Sequence, residues 1–259
     1  VTACGYGVTP VVGSIDTDTL TGTNGADALT ALAGNDVLTG QDGDDTLSGD
    51  DGDDALSGGA GDDSLDAGNG ADLLQGDAGD DAINGGTGAD TILGGEGDDT
   101  IATGDRDEAG FDLRYGNLVD GGTGNDQIRG GFENDTLAGG ADDDTIDGDY
   151  GDDQIVGGTG NDVLLDRGGS TVFNYALGDG NDLIFVEDDG TDTLSFGAGI
   201  SAADLSFDLV QVNGTPYGDY SSFTDGLWAV RATLAQGGSV TFAGDLFADV
   251  GGLTSLQFS

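Results

Sequence analysis

The large aliphatic residues in the middle of the chain recur every nine positions: Leu29, Leu38, Leu47, Leu56, Leu65, Leu74, Ile83, Ile92 and Ile101, then Ile128, Leu137, Ile146, Ile155 and Leu164. A spacing of nine matches neither the helical period of 3.6 nor the strand period of 2, which excludes amphipathic helices and ordinary hairpins. A short strand followed by a sharp turn does fit. The aliphatic side chain points inward from a strand of about three residues, and glycine supplies the positive-φ positions of the turn. Two units make one coil of 18 residues, so stacked coils pair their strands in parallel and bury a ladder of Leu and Ile.

The polar positions keep the same phase. Two residues before each aliphatic stands an aspartate: Asp27, Asp36, Asp45, Asp54, Asp63, Asp72, Asp81, Asp90 and Asp99, then Asp126, Asp135, Asp144, Asp153 and Asp162. Gly precedes the Asp by two positions in twelve units, Glu133 and Asp142 being the exceptions. An aspartate used only to form turns need not recur fourteen times at one offset, so these are candidate metal ligands. With turns alternating between two edges, Asp27, Asp45, Asp63, Asp81 and Asp99 line one edge, and Asp36, Asp54, Asp72 and Asp90 the other. Further on, Asp126, Asp144 and Asp162 share an edge, as do Asp135 and Asp153. If each adjacent pair along an edge shares one cation, about ten sites result, each built of carboxylates and turn carbonyls, the donors of hard cations. The weakest are expected at Glu133 and Asp142, where a Cβ replaces the turn glycine. Asp44, Asp53, Asp62, Asp80 and Asp152 precede ligand aspartates and are expected to face water. The Asp-x-Asp-x-Asp-Gly loop of an EF-hand is absent.

Composition narrows the function. Of 259 residues, 51 are acidic and 5 basic, a net charge of −46; four are Glu (Glu96, Glu108, Glu133, Glu187), leaving 47 Asp beside 53 Gly. Lys, His and Met are missing. Ser-His and Cys-His nucleophiles, Schiff bases and histidine zinc sites are therefore excluded and only carboxylate or Tyr chemistry survives; with no catalytic constellation in the sequence, the chain is not expected to be an enzyme. Such a charge repels nucleic-acid phosphates and anionic lipid. No apolar run of about 18 residues spans a membrane. Ten divalent ions would bring the charge to about −26, whereas a metal-free roll would hold rows of carboxylates together, so folding and binding should be one event.

Units such as Gly85-Gly86-Thr87-Gly88-Ala89-Asp90-Thr91-Ile92-Leu93 and Gly121-Gly122-Thr123-Gly124-Asn125-Asp126-Gln127-Ile128-Arg129 resemble the RTX (repeats-in-toxin) calcium-binding nonapeptide. The resemblance implies an all-β fold, a right-handed parallel β-roll with Ca²⁺ between stacked turns. It also implies type I secretion from a Gram-negative bacterium, and hence a secreted, extracellular or cell-surface protein.

The chain divides into an N-terminal strand or cap (1–20), the roll (21–170) and a C-terminal antiparallel β cap with a probable secretion region by family resemblance (171–259). Residues 102–119 lack the consensus, yet Ile101 and Ile128 are three periods apart, so the segment reads either as one degenerate coil with Val119 inward or as a loop carrying Phe111, Arg114 and Tyr115. Tyr6, Val8, Val11 and Val12 suit a strand capping the first coil, and the lone Cys4 a small buried residue or an interchain thiol. Eight of ten Phe and the only Trp, Trp228, lie beyond residue 170, where Asp204 to Leu209, Ser239 to Phe242 and Thr254 to Phe258 alternate like strands with one buried face. Function resolves into a calcium-stiffened structural protein that assembles head to tail into a filament, surface layer or matrix, or the secretion and folding module of a larger RTX enzyme or toxin. Ice or glycan binding is disfavoured because outward Thr occur only at Thr23, Thr87, Thr123 and Thr159.

Overall fold

A computed structural model describes residues 10–104, 116–186, 191–212, 227–244 and 255–258. Before the interruption come β1 (Val11–Val12), β2 (Thr19–Thr21), β3 (Ala28–Thr30), β4 (Val37–Asp42), β5 (Thr46–Asp51), β6 (Ala55–Ala60), β7 (Ser64–Asn69), β8 (Leu73–Ala78), β9 (Ala82–Thr87), β10 (Thr91–Glu96) and β11 (Thr100–Ala102). After it come β12 (Leu118–Thr123), β13 (Gln127–Gly131), β14 (Thr136–Ala141), β15 (Thr145–Asp149), β16 (Gln154–Thr159), β17 (Val163–Asp166), β18 (Val172–Tyr175), β19 (Asn181–Val186) and β20 (Thr193–Phe196). The last strands are β21 (Leu205–Val212), β22 (Leu227–Leu234), β23 (Ser239–Gly244) and β24 (Ser255–Phe258).

Odd strands β1 to β19 build one sheet and even strands β2 to β20 the other, every pairing parallel. The chain is thus an all-β parallel roll of about ten turns. Within it most strands pair with the one 18 residues on, as in Leu47 with Leu65 and Leu56 with Leu74. Leu20, Leu38, Leu56, Leu74, Ile92, Val119, Leu137, Ile155, Phe173 and Leu194 stack along one sheet, each fully buried. Leu29, Leu47, Leu65, Ile83, Ile101, Ile128, Ile146, Leu164 and Ile184 stack along the other. The core is therefore a double file one aliphatic side chain wide, bounded on both edges by turns.

The strand pairing bears on two segments whose sequence departs from the repeat. At 102–119 no complete extra coil intervenes: β10 pairs directly with β12, Ile92 opposite Val119, and β11 with β13, Ile101 opposite Ile128. The offset is 27 instead of 18, nine residues more than one coil, and the sheets stay in alternation. Phe111, Arg114 and Tyr115 lie outside the described residues, as do Cys4, Tyr6 and Val8. The second segment is the C-terminal part of the chain. The parallel roll does not stop near 170: Phe173 pairs with Leu194 and Ile184 with Phe242, and β20 pairs in parallel with β24. Offsets of 20 and 21 between Leu164 and Ile184 and between Phe173 and Leu194 broke the nine-residue signature while leaving the inward slots filled. Among the described residues the antiparallel strands are β21, β22 and β23, where β22 pairs with both neighbours.

Candidate metal centres

Each predicted aspartate sits at the last turn position before a strand, where the chain passes from one sheet to the other. Asp27 is half-buried and the other thirteen are buried. They form two ladders in which Oδ1 accepts the backbone N–H of the aspartate one coil earlier. Asp45 accepts from Asp27 at 2.7 Å, Asp63 from Asp45 at 2.7 Å, Asp81 from Asp63 at 2.8 Å and Asp99 from Asp81 at 2.8 Å. On the other edge Asp54 accepts from Asp36, Asp72 from Asp54 and Asp90 from Asp72 at 2.7, 2.7 and 2.9 Å. Because Ile101 pairs with Ile128, Asp126 continues the Asp99 ladder at 2.8 Å, and Asp144 and Asp162 follow it. Asp135 and Asp153 continue the Asp90 ladder through Asn117, whose Oδ1 accepts from Asp90 at 2.9 Å and whose N–H donates to Asp135 at 2.8 Å.

Oδ1 is thus committed to the backbone; Asp27 also uses its Oδ2, which accepts from the N–H and hydroxyl of Thr23 at 2.5 and 2.8 Å. Oδ2 is buried without a hydrogen bond in Asp36, Asp45, Asp54, Asp63, Asp72, Asp81, Asp99, Asp126, Asp144, Asp153 and Asp162. Orphaned buried carboxylate oxygens are costly unless a cation meets them. The space they face is shaped by glycine. Five residues before most of these aspartates stands a glycine, and a Cβ there would point at Oδ2 and at a carbonyl of the next coil. At Gly49, Gly76, Gly121 and Gly139 such an atom would lie 2.5–2.6 Å from the carbonyl oxygens of Ala67, Gly94, Gly139 and Gly157. Each notch thus gathers a carboxylate and a carbonyl oxygen, the hard donors that calcium takes. Among the described residues no three acidic, His or Cys side chains converge, so the backbone must supply much of any coordination shell. The donor set fits Ca²⁺ better than softer metals.

Burial drives the electrostatics. It pushes the carboxyls of Asp45, Asp72, Asp99 and Asp162 up to about 6, Asp81 and Asp182 to about 7, and Asp144 and Asp153 to about 8. In each the backbone hydrogen bond from the preceding coil opposes the rise and neighbouring carboxylates add to it. These groups resist carrying charge without a counter-ion.

A second, outward ladder runs the other way. Asp62 Oδ1 accepts from the N–H of Asp80, and Asp44 Oδ1 from that of Asp62, at 3.0 and 3.2 Å, with both carboxylates exposed. Asp53, Asp80 and Asp152 behave alike, accepting from Ala71, Asp98 and Ser170. These residues face water as expected while tying adjacent turns.

Several members of the inner ladders escaped the sequence reading. Asp18 donates its N–H to Asp36, Asp182 accepts from Asp162, and Asp192 accepts from Thr171, at 2.6, 3.1 and 3.0 Å. The signal was present: each stands two residues before an inward side chain, Leu20, Ile184 and Leu194, as Asn117 does before Val119. A separate cluster was not foreseen at all. Asp147 and Asp149 are buried on the outer face of β15, where Arg167 bonds Asp147 at 2.7 Å and Arg129 bonds Asp149. Phe132 and Tyr150, at equivalent turn positions of adjacent coils, stack beside them with ring centroids 5.3 Å apart.

No curated protein matches the chain. The family described as RTX calcium-binding nonapeptide repeat (4 copies) matches residues 12–47, 39–74, 48–83, 75–105, 114–146 and 129–164. Those segments cover more than half of the sequence and coincide with the coils that carry both aspartate ladders, so the chain belongs to the RTX calcium-binding nonapeptide repeat family.

Proposed function

We propose that this is a secreted, non-enzymatic structural protein in which calcium converts an acidic chain into a stiff rod, and that rods join end to end outside the cell. The observation that carries the proposal is the pair of continuous carboxylate ladders with buried Oδ2 atoms facing carbonyl-lined notches. Asp36, Asp45, Asp54, Asp63, Asp72, Asp81, Asp99, Asp126, Asp144, Asp153 and Asp162 would hold the ions, with Asp27, Asp90 and Asp135 in equivalent places. Bound calcium supplies positive charge and hard coordination between coils. The chain's own residues do the rest: glycine keeps each notch open, Oδ1 fixes the carboxylate against the coil before it, and the aliphatic file sets the spacing. About ten ions are expected. Extracellular calcium, abundant where cytosolic calcium is scarce, suits sites that are needed only after export.

End-to-end assembly is supported by the edges of the roll. β1 and β2 each pair on one side only among the described residues, and Val12 and Ile15 are exposed at that end, Ile15 at 78%. A parallel strand edge is a template for another chain. Such contact is heterologous and propagates. Electron microscopy and light scattering of the protein in millimolar Ca²⁺, with and without residues 1–20, test it: filaments or sheets that require both calcium and those residues are expected. A monodisperse monomer in both preparations contradicts the proposal.

A further inference from the structure

Near the end of the roll, one rung departs from the pattern at two positions together. Thr171 stands one coil after Asp153, where the ladder calls for Asp, and Asp166 stands one coil after Gly148. Before every ladder aspartate from Asp18 to Asp162, the residue five positions back is Gly, or Ala at Ala31 and Ala67. The geometry explains that restriction. A Cβ at Gly130 or Gly148 would lie 2.7 Å from Oδ2 of Asp135 or 2.6 Å from Oδ2 of Asp153, so this position and the ladder carboxylate compete for one space.

With Thr at 171 the ladder carboxylate is missing and the space opens to a side chain at 166. Asp166 enters it: the residue is fully buried, and its Oδ1 accepts a hydrogen bond from Thr171 Oγ1 at 2.9 Å. Thr171 still donates its N–H to Asp192 Oδ1 at 3.0 Å, so the ladder runs on past the exchange. We infer that Asp166 is a calcium ligand, the carboxylate of this rung having moved from the ladder position to the glycine position, and that it completes a site with Asp153. This inference rests on the calcium reading of the notches.

A second observation points to the same ion. Asp153 is 1% exposed, and its Oδ2, which a Cβ at Gly148 would meet at 2.6 Å, has no hydrogen-bond partner. Asp166 lies opposite Gly148 in register, since Asp147 pairs with Leu165 and Arg167 donates its N–H to the Asp149 carbonyl at 3.0 Å, and Gly148 is the residue whose Cβ would meet Asp153 Oδ2, so both carboxylates border this one position. Both 166 and 171 fall beyond residue 164, where the family match ends, so the repeat consensus does not assign them.

Native mass spectrometry of the whole chain in calcium counts the ions directly. Asp166→Asn should bind one ion fewer than the natural sequence. The double variant Asp166→Gly with Thr171→Asp restores the arrangement of the other rungs and should bind the same number as the natural sequence. Thr171→Asp alone forces two carboxylates into one notch and should lower the melting temperature in calcium. An unchanged count for Asp166→Asn overturns the inference. So does any change of count in the double variant, a gain of one ion meaning that the natural rung holds none. A natural chain that binds no calcium at all would instead overturn the reading of the notches.

Discussion

Acid should partly replace calcium. Eight buried carboxyls, those of Asp45, Asp72, Asp81, Asp99, Asp144, Asp153, Asp162 and Asp182, are raised to between about 6 and about 8 in the metal-free roll, against 3.8 for the ordinary group. Their folded values exceed their unfolded ones, so the folded chain binds more protons throughout this window. Metal-free stability is therefore lost as pH rises from about 4 to about 8, and is fully present only below the unfolded value. At about 1.4 kcal/mol for each pH unit, ionising all eight at pH 8 costs roughly 30 kcal/mol at face value. A threefold reduction for solvent screening and relaxation still leaves about 10 kcal/mol, as much as the whole stability of an ordinary domain, about 5–15 kcal/mol. In excess chelator the chain should be unstructured at pH 8, with β signal and compactness growing as the pH falls towards 5. Far-ultraviolet circular dichroism and small-angle scattering follow both. Asp144→Asn with Asp153→Asn, which mimics protonation at the two most perturbed positions, should move the onset to higher pH. Equal or greater β content at pH 8 than at pH 5 would refute the reasoning.

Three further predictions are local, because a stacked array is held by neighbour contacts. Asp63→Ala removes an inner-ladder carboxylate and should weaken the sites shared with Asp45 and Asp81, whereas Asp62→Ala loses one exposed hydrogen bond of about 0.5–1.5 kcal/mol; calorimetric calcium stoichiometry separates them, and equal losses would mean the ligands are misassigned. Asp142 adopts φ 82°, so Asp142→Gly should stabilise the calcium-loaded chain by about 1 kcal/mol in urea denaturation, and no gain would show that the turn is not strained. Leu137 is fully buried between Val119 and Ile155, and Leu137→Ala should cost about 2–5 kcal/mol in calcium; a loss below 1 kcal/mol would contradict the single-file core.

The roll was legible in the sequence because a nine-residue period with inward Leu or Ile and Asp at a fixed offset leaves few ways to stack. All fourteen predicted aspartates fall on the two ladders. What the period could not carry was the continuity across the interruption: whether Asp126 extends the Asp99 edge depends on the register across it, and only the Ile101–Ile128 pairing decides that. The parallel run through β18, β19 and β20 was hidden by turns two or three residues longer, although Phe173, Ile184 and Leu194 still fill the inward slots. The buried pairs of Asp147 with Arg167 and Asp149 with Arg129 depend on outward side chains one coil apart, which a one-dimensional pattern treats as ordinary surface.

The central claim is that near neutral pH, where the ladder carboxyls cannot all stay protonated, the ladders fold only around calcium. Circular dichroism of the whole chain at pH 7.5, begun in excess EDTA and titrated with Ca²⁺, tests it most directly. The ladders predict a largely disordered spectrum that becomes β-rich cooperatively at roughly 10⁻⁴–10⁻³ M free calcium, the range of extracellular sites. A β-rich spectrum in EDTA that calcium leaves unchanged would contradict it.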